Sequence, residues 1–163
     1  MENEKFQLIF PEKFTILDLT FRHINEEDYY KEYFELLEFL SVVKKSSFDE
    51  FKDQMSLIKN SNSCIYVLEE DNKIVASVTI IIEYKFIRNL GKVCHIEDMV
   101  IHKNYQSKKY GSKLISLTKE IAKLNNCYKM ILDCSEENMG FYVKQGFEKK
   151  SCGMALYLND KGI

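Results

Sequence analysis

Two periodicities divide the chain. FTILDLTFRHI (14–24) alternates apolar and polar side chains closely enough to predict a strand. From Asn25 the repeat lengthens: Tyr29, Tyr33, Leu36, Leu37 and Leu40 recur three and four residues apart with charges between them, the pattern of an amphipathic helix. Phe48, Phe51, Met55 and Ile58 form a second helical stripe over 48–59, and both stripes read as core packing. SCIYVLEE and KIVASVTIIIEY are strands joined by the hairpin turn Asp71-Asn72. After KFIRNLG, KVCHIEDMVI is another strand, and a helix from Gly111 carries Leu114, Leu117, Ile121 and Leu124 on one face. NCYKMILDC reads as a short buried strand. SEENMGFYVKQG reads as a helix with Ser135 as N-cap, acids in its first turn and Gly146 as its stop. FEKKSCGMALYL closes the chain as a strand. The order β-α-α-β-β-β-α-β-α-β predicts an α/β fold: a mixed sheet with helices on its faces.

A length of 163 residues suits one domain over 1–163, and no repeat, linker or low-complexity tract divides it. The net charge of −2 supplies no general attraction to nucleic acid or an anionic membrane, so neither is expected as a partner. MENEKFQLIF lacks the basic and apolar regions of a secretory signal, and the apolar run VASVTIII stops at Glu83, short of a membrane span. Five cysteines without a C-x-x-C pair argue against a disulfide framework or a zinc site, and reduced thiols fit a cytoplasmic protein. Cys94 beside His95 could suggest a thiol nucleophile or a metal ligand, but no second ligand pair stands at the usual spacing, so no metal is expected.

The chemistry concentrates in HIEDMVIHKNYQSKKYGSKL (95–114). A helix N-terminus presents unpaired N–H groups and a partial positive charge, which suits a phosphate. QSKKYGSK adds Lys108, Lys109 and Lys113 to that field, and Gly111 permits close approach of a ligand or a positive φ. Ahead of this loop stands the acidic pair Glu97-Asp98 near the end of a strand. Alternation sends the two carboxylates to opposite faces, and a buried carboxylate is costly unless paired or used. A salt bridge at the sheet end is the plain reading. A proton acceptor beside a site for a phosphorylated cofactor is the functional one.

HIEDMVIHKNYQSKKYG resembles the central segment of the GNAT N-acetyltransferases, where a strand leads into a Q/R-x-x-G-x-G/A pyrophosphate loop. HIED, NYQ, NCYKMILDCSEEN and FYVKQGF, in that order and spacing, are similar to the glucosamine-6-phosphate N-acetyltransferases. The similarity spans nearly the whole chain and is weakest before residue 60. The resemblance implies a GNAT-like fold and acetyl transfer from acetyl-CoA to the 2-amino group of glucosamine 6-phosphate. It implies Glu97 as the base, Asp98 holding the sugar or the base system, and Tyr142 beside the departing thiolate. The backbone N–H near Met99 would face the developing oxyanion. The pantetheine arm would lie along Met99, Val100 and Ile101, and the pyrophosphate over Gln106, Ser107, Lys108, Lys109, Tyr110, Gly111 and Ser112. Asn138 would meet the cofactor near its reactive end. Ser41 and Asp133 would touch the sugar, and Lys85 and Arg88 its phosphate.

Two positions depart from the family pattern. Lys109 stands where the loop has its first glycine, and a positive φ there would strain it. Tyr157 replaces a basic residue that the family brings to the sugar phosphate from a partner subunit, in an implied homodimer. A polyamine, an antibiotic amine or a protein amine is the alternative acceptor, and Lys85 and Arg88 would repel a cationic one. A non-catalytic sensor of CoA or a sugar phosphate is the third reading, supported mainly by the lost glycine.

Overall fold

The computed structural model describes residues 7–158, so the first six and last five residues of the expected 1–163 unit lie outside the described residues. Its centre is a six-stranded sheet in chain order: β1 (Lys13–Ile16), β2 (Leu19–His23), β3 (Ser63–Glu70), β4 (Lys73–Tyr84), β5 (Lys92–Ile101) and β6 (Cys127–Ile131). Neighbours pair antiparallel except β5 and β6, which run parallel, so the sheet is mixed as expected. The parallel pair requires a crossover, and α4 (Tyr110–Leu124) supplies it. The remaining helices are α1 (Tyr33–Leu37), α2 (Phe48–Lys59) and α5 (Glu136–Lys144).

Each face of the sheet has its own core. Cys94, Ile96, Ile80 and Ile82 pack with Leu114, Leu117 and Ile121 of α4 on one side. Ile65, Val67 and Val100 pack with Tyr33 and Leu36 of α1 and Phe51 of α2 on the other. α2 begins with the reciprocal capping box that Ser47 and Glu50 allow, and its bounds are those of the helical stripe. The β3–β4 turn places Asp71 and Asn72 at φ 49° and 61°, the left-handed pair of a two-residue hairpin.

Several expectations need correction, among them the buried strand expected at NCYKMILDC, since β6 is intermediate to exposed throughout. The strand over 14–24 is a hairpin, with the apolar Leu17 exposed at a left-handed turn between β1 and β2. The long helix from Asn25 is a 3-10 turn (Glu26–Tyr30), a break at Glu32 (φ 58°) and the short α1. Its interruption follows from Asp28, which is fully buried and takes two 2.7 Å hydrogen bonds from Arg22. Residues 147–158, expected as the closing strand, form none, and Met154, Leu156, Tyr157 and Leu158 are exposed. Their apolar pattern finds no strand ladder and no covering layer among the described residues. On α4, Leu124 falls at the exposed end of the expected face.

Between β4 and β5 lies a tight turn, α3 (Ile87–Leu90), in which Arg88, Asn89 and Leu90 all have positive φ. The segment is therefore a turn and not a regular right-handed helix.

Candidate active site

The sheet opens along β5. This strand pairs β4 over its length, but β6 accompanies it only from Lys92 to His95. Among the described residues, no strand pairs Ile96–Ile101 on the β6 side, which leaves backbone donors and acceptors there for another partner. A bulge adds to the opening. Ser77 pairs Val100 and Thr79 pairs Glu97, so Val78 alone stands opposite both Asp98 and Met99. Asp98 takes φ 47° to accommodate the extra residue. The bulge changes the strand's parity: Glu97 and Val100 share the α1 and α2 face, whereas Met99 and Ile101 pack against the α4 core. Simple alternation is therefore interrupted between Glu97 and Val100, and both carboxylates of the acidic pair are exposed rather than one being buried.

A cavity of about 510 Å³ occupies this opening. Met99, Val100 and Ile101 form one wall, and Phe39 and Leu40, Asn138, Phe141 and Tyr142 contribute further lining. Gln106, Lys109, Gly111 and Ser112 line it from the start of α4. Lys109 is the N-cap of α4, with φ 61°, ψ 23° and no side-chain capping bond, so the helix's first amides retain their anion-binding capacity. The left-handed backbone falls on the lysine and costs about 1–2 kcal/mol. Gly111 serves closeness instead: an added Cβ would stand 3.1 Å from Cζ of Phe141. Ser112 Oγ accepts a 3.1 Å hydrogen bond from Gln145, which joins the start of α4 to the end of α5.

Tyr142 also lines a second, larger cavity of about 1010 Å³, together with His95, Glu97 and Asp133. Burial raises the Glu97 carboxyl above its ordinary pKa, nearby His95 opposes that shift, and the charges of Asp98 and Asp133 reinforce it. His95 Nδ1 lies 4.0 Å from Glu97, while its Nε2 is 2.9 Å from Glu83, whose other oxygen accepts from Lys85. A row of ionisable side chains thus runs along β4 and β5 to Glu97. Burial also raises the Tyr142 phenol, with Cys134 adding to the effect, so it is a neutral hydroxyl donor at neutral pH. Cys94 is buried and its thiol is pushed up to about 12, which removes it as a thiolate nucleophile. A carboxylate and a neutral hydroxyl line one cavity, and the same hydroxyl lines the other beside the open β5 edge, groups of the kind that a proton-coupled displacement needs.

Not every expected residue reaches these cavities. Ser107, Lys108 and Tyr110 line neither; Lys108 pairs with Glu70 at 2.8 Å, and Tyr110 is buried with its hydroxyl on the same carboxylate. Lys113 turns to Asp18 at 2.7 Å. Asp98 lines neither cavity and its charge acts on the buried Tyr33. Ser41 is exposed one residue beyond Leu40, Lys85 is tied to Glu83, and Arg88 is exposed on α3, all outside both linings. Glu83 was missed as a member of this row, and His95 beyond its suspected pairing with Cys94. His-x-Glu on one strand face was a readable signal, since residues two apart point the same way. Phe39 carries no signal beyond apolarity, Leu40 reads only as a member of a helical core stripe, and Phe141 stands in the FYVKQGF block without being singled out there.

Comparison with known proteins is consistent with this geometry. Residues 20–147 match the model of the acetyltransferase (GNAT) family. Glucosamine 6-phosphate N-acetyltransferase 1 of Dictyostelium discoideum is 41% identical over 144 residues, covering 86% of this chain and 91% of that protein. The Arabidopsis thaliana glucosamine 6-phosphate N-acetyltransferase is 37% identical over 142 residues, 85% of this chain and 95% of its own length. The crystal structure of the Arabidopsis enzyme superposes with TM-score 0.82 at 37% identity, over 85% of this chain and 97% of that one. An acetyltransferase from Trypanosoma brucei superposes with TM-score 0.81 at 33% identity, over 86% of this chain and 100% of that one.

Proposed function

The chain belongs to the acetyltransferase (GNAT) family, and we propose that it transfers the acetyl group of acetyl-CoA to the 2-amino group of glucosamine 6-phosphate. The observation that carries this reading is Tyr142 lining both cavities, with the open β5 edge in one and Glu97 in the other. The names of the relatives supply the acceptor.

The thioester supplies an activated acetyl group, and the chain's residues do the rest. The unpaired stretch of β5 at Met99, Val100 and Ile101 offers main-chain groups to the amide-bearing arm of the cofactor. Gln106, Lys109, Gly111 and Ser112, with the first amides of α4, receive its pyrophosphate, and Asn138 borders the same space. Glu97 accepts the proton that the substrate ammonium must lose before its nitrogen attacks the acyl carbon. A backbone N–H at Met99 donates to the oxygen on which negative charge develops. As the carbon–sulfur bond breaks, the electron pair leaves on sulfur, the Tyr142 hydroxyl donates a hydrogen bond to it, and the proton still held by the acylated nitrogen passes to the thiolate, which departs as CoA thiol. Asp133 lies near Glu97 and across from Gly153, where it can meet the sugar. Asp98 sustains the bulge, and Ser41 extends the Leu40 wall towards the sugar. Lys85, joined to His95 through Glu83, and Arg88 are the proposed phosphate cations. A homodimer is part of the proposal, supported by the exposed apolar stretch at Met154, Leu156 and Leu158.

The test is release of CoA thiol by the purified full chain with acetyl-CoA and glucosamine 6-phosphate, beside unphosphorylated glucosamine. Thiol release that depends on the sugar phosphate is expected. Equal rates with both sugars would remove the phosphate from recognition, and no release above background would refute the acetyltransferase reading of this site.

A further inference from the structure

The geometry points to Glu70 as a positioning residue for the turn that receives the cofactor phosphates, an inference that rests on the cofactor reading above. Lys109 redirects the chain from the turn Lys103–Lys108 into α4 and does so in a left-handed conformation. A residue with a Cβ stays in that region only where its surroundings over-determine it. Here both chain neighbours of Lys109 are gripped by one side chain. Glu70, the last residue of β3, accepts from Lys108 Nζ at 2.8 Å through Oε2 and from the Tyr110 hydroxyl through Oε1.

Aromatic contacts close the grip. Tyr105 and Tyr110 stack with centroids 6.2 Å apart, and Lys108 Nζ lies 4.7 Å above the first ring and 5.7 Å from the second. Glu70 itself is fixed from behind, because the adjacent Glu69 accepts from Arg22 at 2.5 Å and from Lys31 at 2.9 Å. Lys108 is therefore committed to Glu70 and the tyrosines, while Lys109 faces the cofactor cavity. A glycine at 109 could hold the same turn without steric cost. With a lysine there, the carboxylate staple from the β3–β4 hairpin maintains the turn.

The two effects separate in a double-mutant cycle read by calorimetry with CoA as the only ligand. Glu70→Ala should weaken CoA binding about fivefold to tenfold when Lys109 is present, the range expected from losing the support of one strained residue. In the Lys109→Gly background the same change should cost less than about twofold. Limited trypsin digestion gives a readout without cofactor: cleavage after Lys108 and Lys109 should accelerate in Glu70→Ala. Should Glu70→Ala fail to fold, Tyr110→Phe removes one half of the grip and should weaken CoA binding in the same direction. Equal losses in both backgrounds, or no loss in either, would overturn the inference while leaving the cofactor site intact. Failure of the unaltered protein to bind CoA would overturn both.

Discussion

Replacing Glu97 with glutamine keeps the side-chain shape and removes the proton acceptor. A positioned general base contributes about 10²–10⁴ in rate. The structure places Glu97 near the lower end, because its side chain is 47% exposed and water can take over part of its task. We therefore expect kcat/KM near neutral pH to fall about 10²-fold, or about 2.7 kcal/mol of transition-state stabilisation. The pH dependence is more diagnostic than the loss. Burial raises the Glu97 pKa, Asp98 and Asp133 reinforce this, and His95 opposes it. The base acts when ionised, so activity of the unaltered protein should fall on the acid side through a pKa above the ordinary carboxylate value. In Glu97→Gln that limb is gone and only the amine's own ionisation remains. Its rate should climb about tenfold per pH unit until the amine is free, converging on the unaltered protein. Thiol release measured from about pH 5 to 9 spans both regimes. A constant ratio between the two proteins at every pH would show that Glu97 is not the base.

Other residues around Glu97 give signed outcomes. Asp133→Asn removes a charge that raises the Glu97 pKa, so the acid limb of kcat/KM should move to lower pH; His95→Gln removes an opposing influence and should move it higher. An unmoved limb in both would detach these groups from Glu97. Tyr142→Phe should lower kcat about tenfold with the KM for acetyl-CoA unchanged, and an unaltered kcat would remove the hydroxyl from the departure of sulfur. Arg22→Met strips two 2.7 Å bonds from the fully buried Asp28, leaving Lys31 at 3.9 Å as its nearest cation. Loss of one partner of such a pair costs about 3–5 kcal/mol, and the surviving lysine argues for the lower end. The melting temperature should fall by roughly 6–12 °C, measured calorimetrically, and a shift below about 2 °C would refute that account.

The elements legible in the sequence are those fixed by their own periodicity. The stripe at Phe48, Phe51, Met55 and Ile58 and the hairpin around Asp71-Asn72 reproduce α2, β3 and β4. Where long-range contacts decide, local reading fails. Leu17 has no turn signature, and the break after the 3-10 turn depends on an arginine in β2 and a glutamate at the end of β3. Residues 147–158 read as a strand because they end in the apolar run MALYL, yet they pair with no strand, although β6 is the last of the sheet and its outer edge is free among the described residues. Pattern specifies what a segment can become, and contacts with the rest of the chain decide whether it does.

The site shows the same division more sharply. Glu97 and Tyr142 could be singled out because a carboxylate in an apolar strand and a tyrosine in the matching family block are visible in one dimension. That the two line one cavity is not visible there. It depends on β6 ending at Ile131 while β5 continues to Ile101, and on a single inserted residue at Asp98. Without that insertion, Val100 would change faces and leave the core it forms with Tyr33, Leu36 and Phe51, and Met99 and Ile101 would lose their contact with the α4 core. The bulge therefore does two things at once. It keeps both cores filled beyond the acidic pair, and it exposes Glu97 at the opening where the strand loses its neighbour. A left-handed aspartate in mid-strand, like a left-handed lysine at a helix start, is a local cost retained where the backbone must receive something other than another strand.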